Sequence, residues 1–354
     1  MSKTLKKLVK AKNSAKYHHH YSRWYTRELR SLLGATWAMF YVLLGGRMTG
    51  KSYALTDYMC NQNRKKGDNV KLYWLRISET STKLMLANKA EKLVDPDLVR
   101  KYKLSLSTKG MNVYNHGKLF MTVAPLSSMA KMKGVALFDK DYEGEIIIVL
   151  DEFQLEQGER RTSFDILYNF IGMLENIARN TKNKIRIFLI GNTLEEASSI
   201  LKAFNFLPEG FGRYYLKRRR CIIDNIEPTE EYLKDRKGSA ADILGGDQMS
   251  NYTNELKRDT ELIFKGRRTS PQYIIKFGKG KDQMYIVWDH DVITRYKGQP
   301  INNIISMRPY LDSRFDVDRR QMVIERFDSR AYKFDTLITL SYFQADLQKI
   351  RKTT

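Results

Sequence analysis

Apolar runs appear in the chain in two textures, and the boundary between them falls near Pro228. In the first part, β-like runs recur at Trp37–Leu44 (WAMFYVLL), Val70–Ile77 (VKLYWLRI), Lys118–Val123, Glu145–Leu150 (EIIIVL) and Ile185–Gly191 (IRIFLIG). The runs IIIVL and IRIFLI are continuously apolar, which suits strands covered on both faces in a largely parallel sheet. Helical patterns lie between several of them, notably SYALTDYMCNQNRKK, which stops at Gly67, and Phe164 to Ala178. Strand, glycine-rich turn and helix in that order from Trp37 predict a doubly wound α/β domain over 35–228.

After Pro228 the segment TEEYLKDRKGSAADILGGDQMS is polar and helix-permissive and ends in Gly245-Gly246, so 229–260 reads as a linker or small hinge domain. From Glu261 come short alternating segments, TELIFKG, PQYIIKFG and QMYIVWD, separated by Gly, Pro and charged turns. They predict hairpin-like strands in a second, α+β domain over 261–354. No repeat with a period of 20 to 50 residues is present, which removes solenoids and propellers.

Composition narrows the classes. Among 354 residues, 62 Lys and Arg stand against 40 Asp and Glu, a formal net charge of +22. Of this, +8 lies in Met1–Arg30, so 1–34 reads as a basic tail, a solvated run or a binding arm. Attraction to a polyanion follows under either reading. The two cysteines, Cys60 and Cys221, build neither a disulfide framework nor a metal cluster, which fits a reducing cytoplasm. No apolar stretch approaches the roughly 20 residues of a membrane span, so no membrane role is expected. His18-His19-His20 have no spaced partners, and no zinc site is expected.

Chemistry concentrates in Gly45-Gly46-Arg47-Met48-Thr49-Gly50-Lys51-Ser52, which satisfies G-x-x-x-x-G-K-[ST] between a predicted strand and a predicted helix. Such glycines let backbone N–H groups wrap phosphate oxygens, Lys51 bridges the β- and γ-phosphates, and Ser52 ligates Mg²⁺. A hydrophobic strand ending in Asp151-Glu152 follows a hundred residues after Lys51. Asp151 suits the Mg²⁺ shell and Glu152 suits polarising the attacking water, which implies hydrolysis. Guanine specificity calls for N-K-x-D after a late strand; Asn180-Thr181-Lys182-Asn183 lacks the Asp, so ATP is the expected nucleotide.

Other residues carry two readings each. Asn192, at the end of the strand after Asp151-Glu152, is a γ-phosphate sensor or a turn former. Arg179, where a helical pattern ends, is a finger for a neighbouring subunit or a cation at a helix C-terminus. Arg47 is a switch or an exposed loop arginine. RYYLKRRR, Arg213–Arg220, is a phosphate-backbone track or a solvated strand edge.

GGRMTGKSYA at Gly45–Ala54, APLS at Ala124–Ser127, IIIVLDEF at Ile146–Phe153 and the helix-Arg-strand-Asn run Leu167–Asn192 together resemble the phi29-like phage DNA-packaging ATPases. The likeness extends into Leu256–Ser270 and Gln283–Asp291 and stops at the basic tail. It implies an N-terminal ASCE P-loop ATPase domain, a small linker domain and a C-terminal RNase H-like domain that binds DNA and has no nuclease activity. It also implies ATP and Mg²⁺ as cofactors and double-stranded DNA as substrate. The implied partners are the portal of a phage procapsid, a structural RNA and further copies in a pentameric ring, in the host cytoplasm. By resemblance Lys51 and Ser52 meet the nucleotide, Asp151 the Mg²⁺, Glu152 the water, and Arg179 acts in trans. Lys133, eight residues after Pro125, becomes a second trans-acting cation. One residue more than the family spacing separates Arg179 from the strand at Ile185.

Asp289, Asp291, Asp312, Asp316 and Asp318 are numerous enough for a two-metal nuclease, but turns and strand ends account for them too. The expected function is a motor that moves duplex DNA into a capsid. A helicase or AAA+-like remodeller of single strands shares every phosphate-loop residue. A DNA-binding connector that uses ATP only as a clamp is the reading outside enzymology.

Overall fold

The computed structural model describes residues 25–128, 142–153, 165–177, 184–191, 198–237, 243 and 260–351. The first domain is built on a sheet of nine strands in the order β3-β4-β5-β2-β6-β7-β1-β9-β8. These are β1 Phe40–Leu44, β2 Val70–Arg76, β3 Leu106–Lys109, β4 Asn112–Asn115, β5 Lys118–Pro125, β6 Glu145–Asp151, β7 Lys184–Gly191, β8 Gly212–Leu216 and β9 Cys221–Asn225. The inner strands from β5 to β9 all run parallel. Antiparallel hairpin partners close the two edges, β3-β4 on one side and β8 on the other. The sheet is therefore mixed, parallel only in the interior where the continuous apolar runs lie. Every residue of β6 is buried, as its sequence predicts.

Two apolar clusters cover the two faces of the sheet, one containing Trp74, Tyr41 and Phe188, the other Val42, Leu75, Ile148 and Leu189. Five of the first domain's helices are α1 Tyr25–Leu33, α2 Lys51–Lys66, α3 Glu79–Ala90, α4 Pro96–Tyr102 and α5 Ile166–Ile177. Two short ones among the described residues are α6 Ser199–Ala203 and α7 Glu230–Arg236. Gly67 ends α2 at φ 53° and ψ −125°, a positive-φ backbone that glycine adopts with little penalty.

The basic tail expected over 1–34 needs correction at its inner end. Residues 25–33 form α1, and Tyr25, Leu29 and Leu32, on one helical face, are buried in the first core. The Tyr25 hydroxyl donates to Asp224 Oδ2 at 2.6 Å. Arg213 ties Asp224 (3.3 Å) to Glu28 (3.2 Å). Apolar spacing within so basic a stretch is the signal that charge counting overlooked. Residues 1–24, with the histidine triplet, lie outside the described residues.

The second domain carries a five-stranded sheet, β13-β10-β11-β12-β14, of β10 Pro271–Lys276, β11 Met284–Trp288, β12 Val292–Arg295, β13 Ile304–Ser306 and β14 Lys333–Phe334. The first three form an antiparallel meander; β13 adds parallel beside β10 and β14 parallel beside β12. The segment TELIFKG, expected as a strand, gives a 3₁₀ turn at Thr260–Leu262 and a single bridge from Ile263 to Phe334. Helices α8 Val317–Asp328 and α9 Leu337–Arg351 complete a separate core in which Phe343 meets Phe277, Tyr285 and Phe334. Strands and helices together make this core α+β.

Candidate functional site

The phosphate-type loop begins where β1 ends. Gly45 fits because a Cβ there would stand 3.0 Å from Ile226 Cβ, and the next residues turn sharply, with Met48 at φ 62° and Gly50 at φ 87°. Lys51, the first residue of α2, is 4% exposed. Its ammonium donates to Gly45 O (2.8 Å), Gly46 O (2.7 Å) and Thr49 Oγ1 (3.2 Å). Burial pulls the Lys51 pKa down to about 7, while the carboxylates of Asp151 and Glu152 act in the opposite direction. A buried ammonium bonded to neutral oxygens at the start of a 16-residue helix is a cradle suited to a polyphosphate. Ser52, in the first turn of the same helix, is exposed beside it.

The carboxylates arrive on β6. Asp151 closes the strand and Glu152 takes a left-handed backbone, φ 55°, a conformation costing on the order of 1 kcal/mol for a residue with a Cβ. The next residue anchors it, since Phe153 is buried and its N–H donates to Ile190 O at 3.2 Å. Arg76, the last residue of β2, donates to Asp151 Oδ2 at 2.8 Å and to Glu152 Oε2 at 2.5 Å. Burial raises the Asp151 pKa and Arg76 counters it. The Asp151 side chain is 7% exposed and that of Glu152 45%, so one carboxylate is enclosed and its neighbour is open to solvent.

Sequence reading singled out Lys51, Ser52, Asp151 and Glu152, and the Lys51 ammonium feels both carboxylates. It missed two residues. Arg76 becomes visible only through the pairing of Leu75 with Leu150, which sets it beside Asp151. Tyr232 belongs to the segment read as linker, yet its ring is buried and its hydroxyl donates to Arg47 O at 2.6 Å, holding the loop from α7. Arg47 itself is exposed. Arg179, Lys133 and Asn192 lie outside the described residues. Gly191, just before Asn192, accepts from Gly45 N at 3.3 Å, so the end of β7 lies against the loop.

The aspartates of the second domain are engaged locally. Asp289 accepts from Thr269 N, Asp291 pairs with Arg326, Asp312 with Arg314, and Asp316 caps α8 through Asp318 N and Arg319 N.

Residues 22–294 match the family model described as podovirus DNA encapsidation protein (Gp16). The chain belongs to this encapsidation protein family. Among solved structures it is similar to the bacteriophage phi29 viral genome packaging motor assembly, at 18% identity over 89% of this chain and 96% of that one, TM-score 0.60. It is also similar to the phi28 gp11 DNA packaging motor, at 14% identity over 90% and 95%, TM-score 0.56. The N-terminal domain of the phi29 DNA packaging ATPase matches at 21% identity over 57% and 96%, TM-score 0.46. No curated protein matches the chain. The encapsidation family is thus a phage DNA packaging family, and the likeness to the two motor structures extends the shared fold across both domains.

Proposed function

We propose that this encapsidation protein is an ATP hydrolase that drives double-stranded DNA into a phage procapsid from a homo-oligomeric ring. The observation that carries the reading is the convergence of the Lys51 cradle with Asp151 and Glu152. The strand order supports it as well, because β7 intervenes between the loop strand β1 and the carboxylate strand β6, the ASCE arrangement.

In this reading Lys51 and the loop N–H groups hold the ATP phosphates, and Ser52 and Asp151 hold Mg²⁺. When bound, Mg²⁺ neutralises charge that develops on the phosphates. Glu152 accepts the proton of the attacking water, which its solvent-facing carboxylate suits. Release of Glu152 from Arg76 precedes that step, since a carboxylate paired with a guanidinium is a poor base. Arg179 and Lys133 act on a neighbour's nucleotide and Asn192 on the γ-phosphate. The second domain is read as RNase H-like and without nuclease chemistry. The meander with β13 beside its first strand supports the former, and the local engagement of Asp289, Asp291, Asp312 and Asp316 supports the latter. The position of β14 at the far edge, beside β12, is a departure from the RNase H order. The portal, a structural RNA and a pentameric ring are the partners this reading carries.

The test is steady-state ATP hydrolysis by the purified protein, alone and with duplex or single-stranded DNA, at low and moderate salt. Stimulation by duplex is expected, with Glu152→Gln retaining nucleotide binding and losing turnover on the order of 100-fold or more. Undiminished turnover in that variant refutes the role of Glu152, and single-strand preference turns the assignment to a helicase.

A further inference from the structure

Four consecutive cations, Lys217-Arg218-Arg219-Arg220, form the turn between β8 and β9, and all four are exposed. The turn is held rigidly. Arg220 N–H donates to Lys217 O at 3.0 Å, Arg220 O accepts from Met39 N (2.8 Å) and Phe40 N (3.0 Å), and Arg220 Nε donates to Trp37 O at 3.3 Å. Arg220 also adopts φ 49°, which closes the turn tightly. The side chains of Lys217, Arg218 and Arg219 meet no acidic or hydrogen-bonding partner among the described residues.

Positive charge along an outermost strand commonly serves to block pairing with other chains. That explanation does not fit this turn. β8 is the edge strand, and its own cation, Arg213, is spent inward on Asp224 and Glu28. The cations of the turn stand beyond the end of the strand, where no ladder forms.

The position is informative. β9 runs parallel to β1 with Phe40 opposite Cys221 and Leu44 opposite Asn225, so the turn precedes the strands and the Lys51 loop follows them. The two lie at opposite ends of the sheet, roughly 15 Å apart along the strand direction. Beside the turn, Arg220 and Lys184 share the rim of a cavity of about 520 Å³ that Glu175 also lines. Trp37 and Tyr215 flank the turn with rings 6.3 Å apart.

We propose that the Lys217–Arg220 turn is a contact of this protein with nucleic acid, a clamp on the phosphate backbone of duplex DNA at the end of the sheet opposite the nucleotide loop. This rests on the DNA-handling reading above. Backbone contacts of this type carry no sequence information, which suits a protein that processes a whole genome. Fixing the turn in advance lowers the ordering cost of engaging successive phosphates.

The test compares full-length protein with the K217S/R218S/R219S variant, measuring equilibrium binding to a short DNA duplex, an RNA duplex and a single strand between 50 and 300 mM salt. ATP hydrolysis without nucleic acid reports the integrity of the fold and nucleotide site. A charge-matched control, K83S/K109S/K118S, removes three exposed lysines elsewhere on the sheet domain. Three lost phosphate contacts lower the steepness of log K against log salt by about 2.7 and weaken DNA affinity on the order of tenfold or more, with basal hydrolysis unchanged and the control variant near wild type. Equal affinity and slope in the turn variant overturn the proposal, as does an equal loss in the control. A loss confined to the RNA duplex overturns the choice of DNA. Wild-type protein that hydrolyses ATP but binds no duplex overturns the clamp while leaving the ATPase reading standing.

Discussion

Arg76→Met is the substitution with the most to say about the site. It keeps an unbranched apolar stem of similar shape and removes the guanidinium that contacts Asp151 at 2.8 Å and Glu152 at 2.5 Å. The two contacts are unequal. Glu152 is about half exposed, so water screens its pair, which is worth at most about 1 kcal/mol. Asp151 is enclosed, and stripping a buried carboxylate of its cation costs about 3 to 5 kcal/mol. Lys51 still acts on Asp151, which sets the expectation at the lower end, about 3 kcal/mol. For a domain of this size that corresponds to a fall in Tm of roughly 6 to 12 °C.

The loss carries a pH signature. Burial already raises the Asp151 pKa and Arg76 opposes it, so in the variant the pKa rises further. A carboxyl with a raised pKa binds more protons folded than unfolded, and stability then falls as pH rises through that window. The Tm deficit of Arg76→Met is therefore expected to be larger at pH 8 than at pH 5.5, and to shrink when Asp151→Asn is added. Thermal unfolding of the four proteins of that cycle at both pH values is the assay. A deficit below about 2 °C at pH 8, or one indifferent to pH and to Asp151→Asn, refutes the reasoning.

Three further outcomes follow from the same geometry. Because burial holds Lys51 at a pKa of about 7 and bound phosphates favour its charged form, ATP binding at pH 8 is expected to take up close to one proton. Calorimetry in buffers of different ionisation heat measures it, and heats independent of buffer would contradict it. Tyr232→Phe deletes the hydroxyl that holds Arg47 O, costing about 1 kcal/mol of loop order, and is expected to raise the KM for ATP a few-fold with kcat nearly unchanged; steady-state kinetics decides, and an unaltered KM counts against it. Tyr25→Phe removes a buried bond to the Asp224 carboxylate and is expected to lower stability by about 2 kcal/mol in denaturant titration, whereas a value within error of zero would remove α1 from the folded domain's support.

What the sequence disclosed and what it concealed divide along one physical line. Features encoded by neighbouring residues were legible: the buried strands of IIIVL and IRIFLI, the loop from Gly45 to Ser52, the helix stopped at Gly67, and Asp151-Glu152 at a strand end. The edge strands β3 and β4 escaped because LSTK and NVYN are short and largely polar, so the pairing partner and not their own apolar content makes them strands. Helix α1 escaped because its buried positions are diluted by arginines. Arg76 escaped for a deeper reason. In VKLYWLRI it reads as the polar end of a strand, and nothing local separates it from any solvated arginine. Its role exists because β2 lies directly beside β6 with Leu75 opposite Leu150, so that one guanidinium reaches both carboxylates. A residue that acts by register across a sheet carries no local motif, and here it is the neighbouring strand that decides whether the Glu152 carboxylate is held by a guanidinium or free.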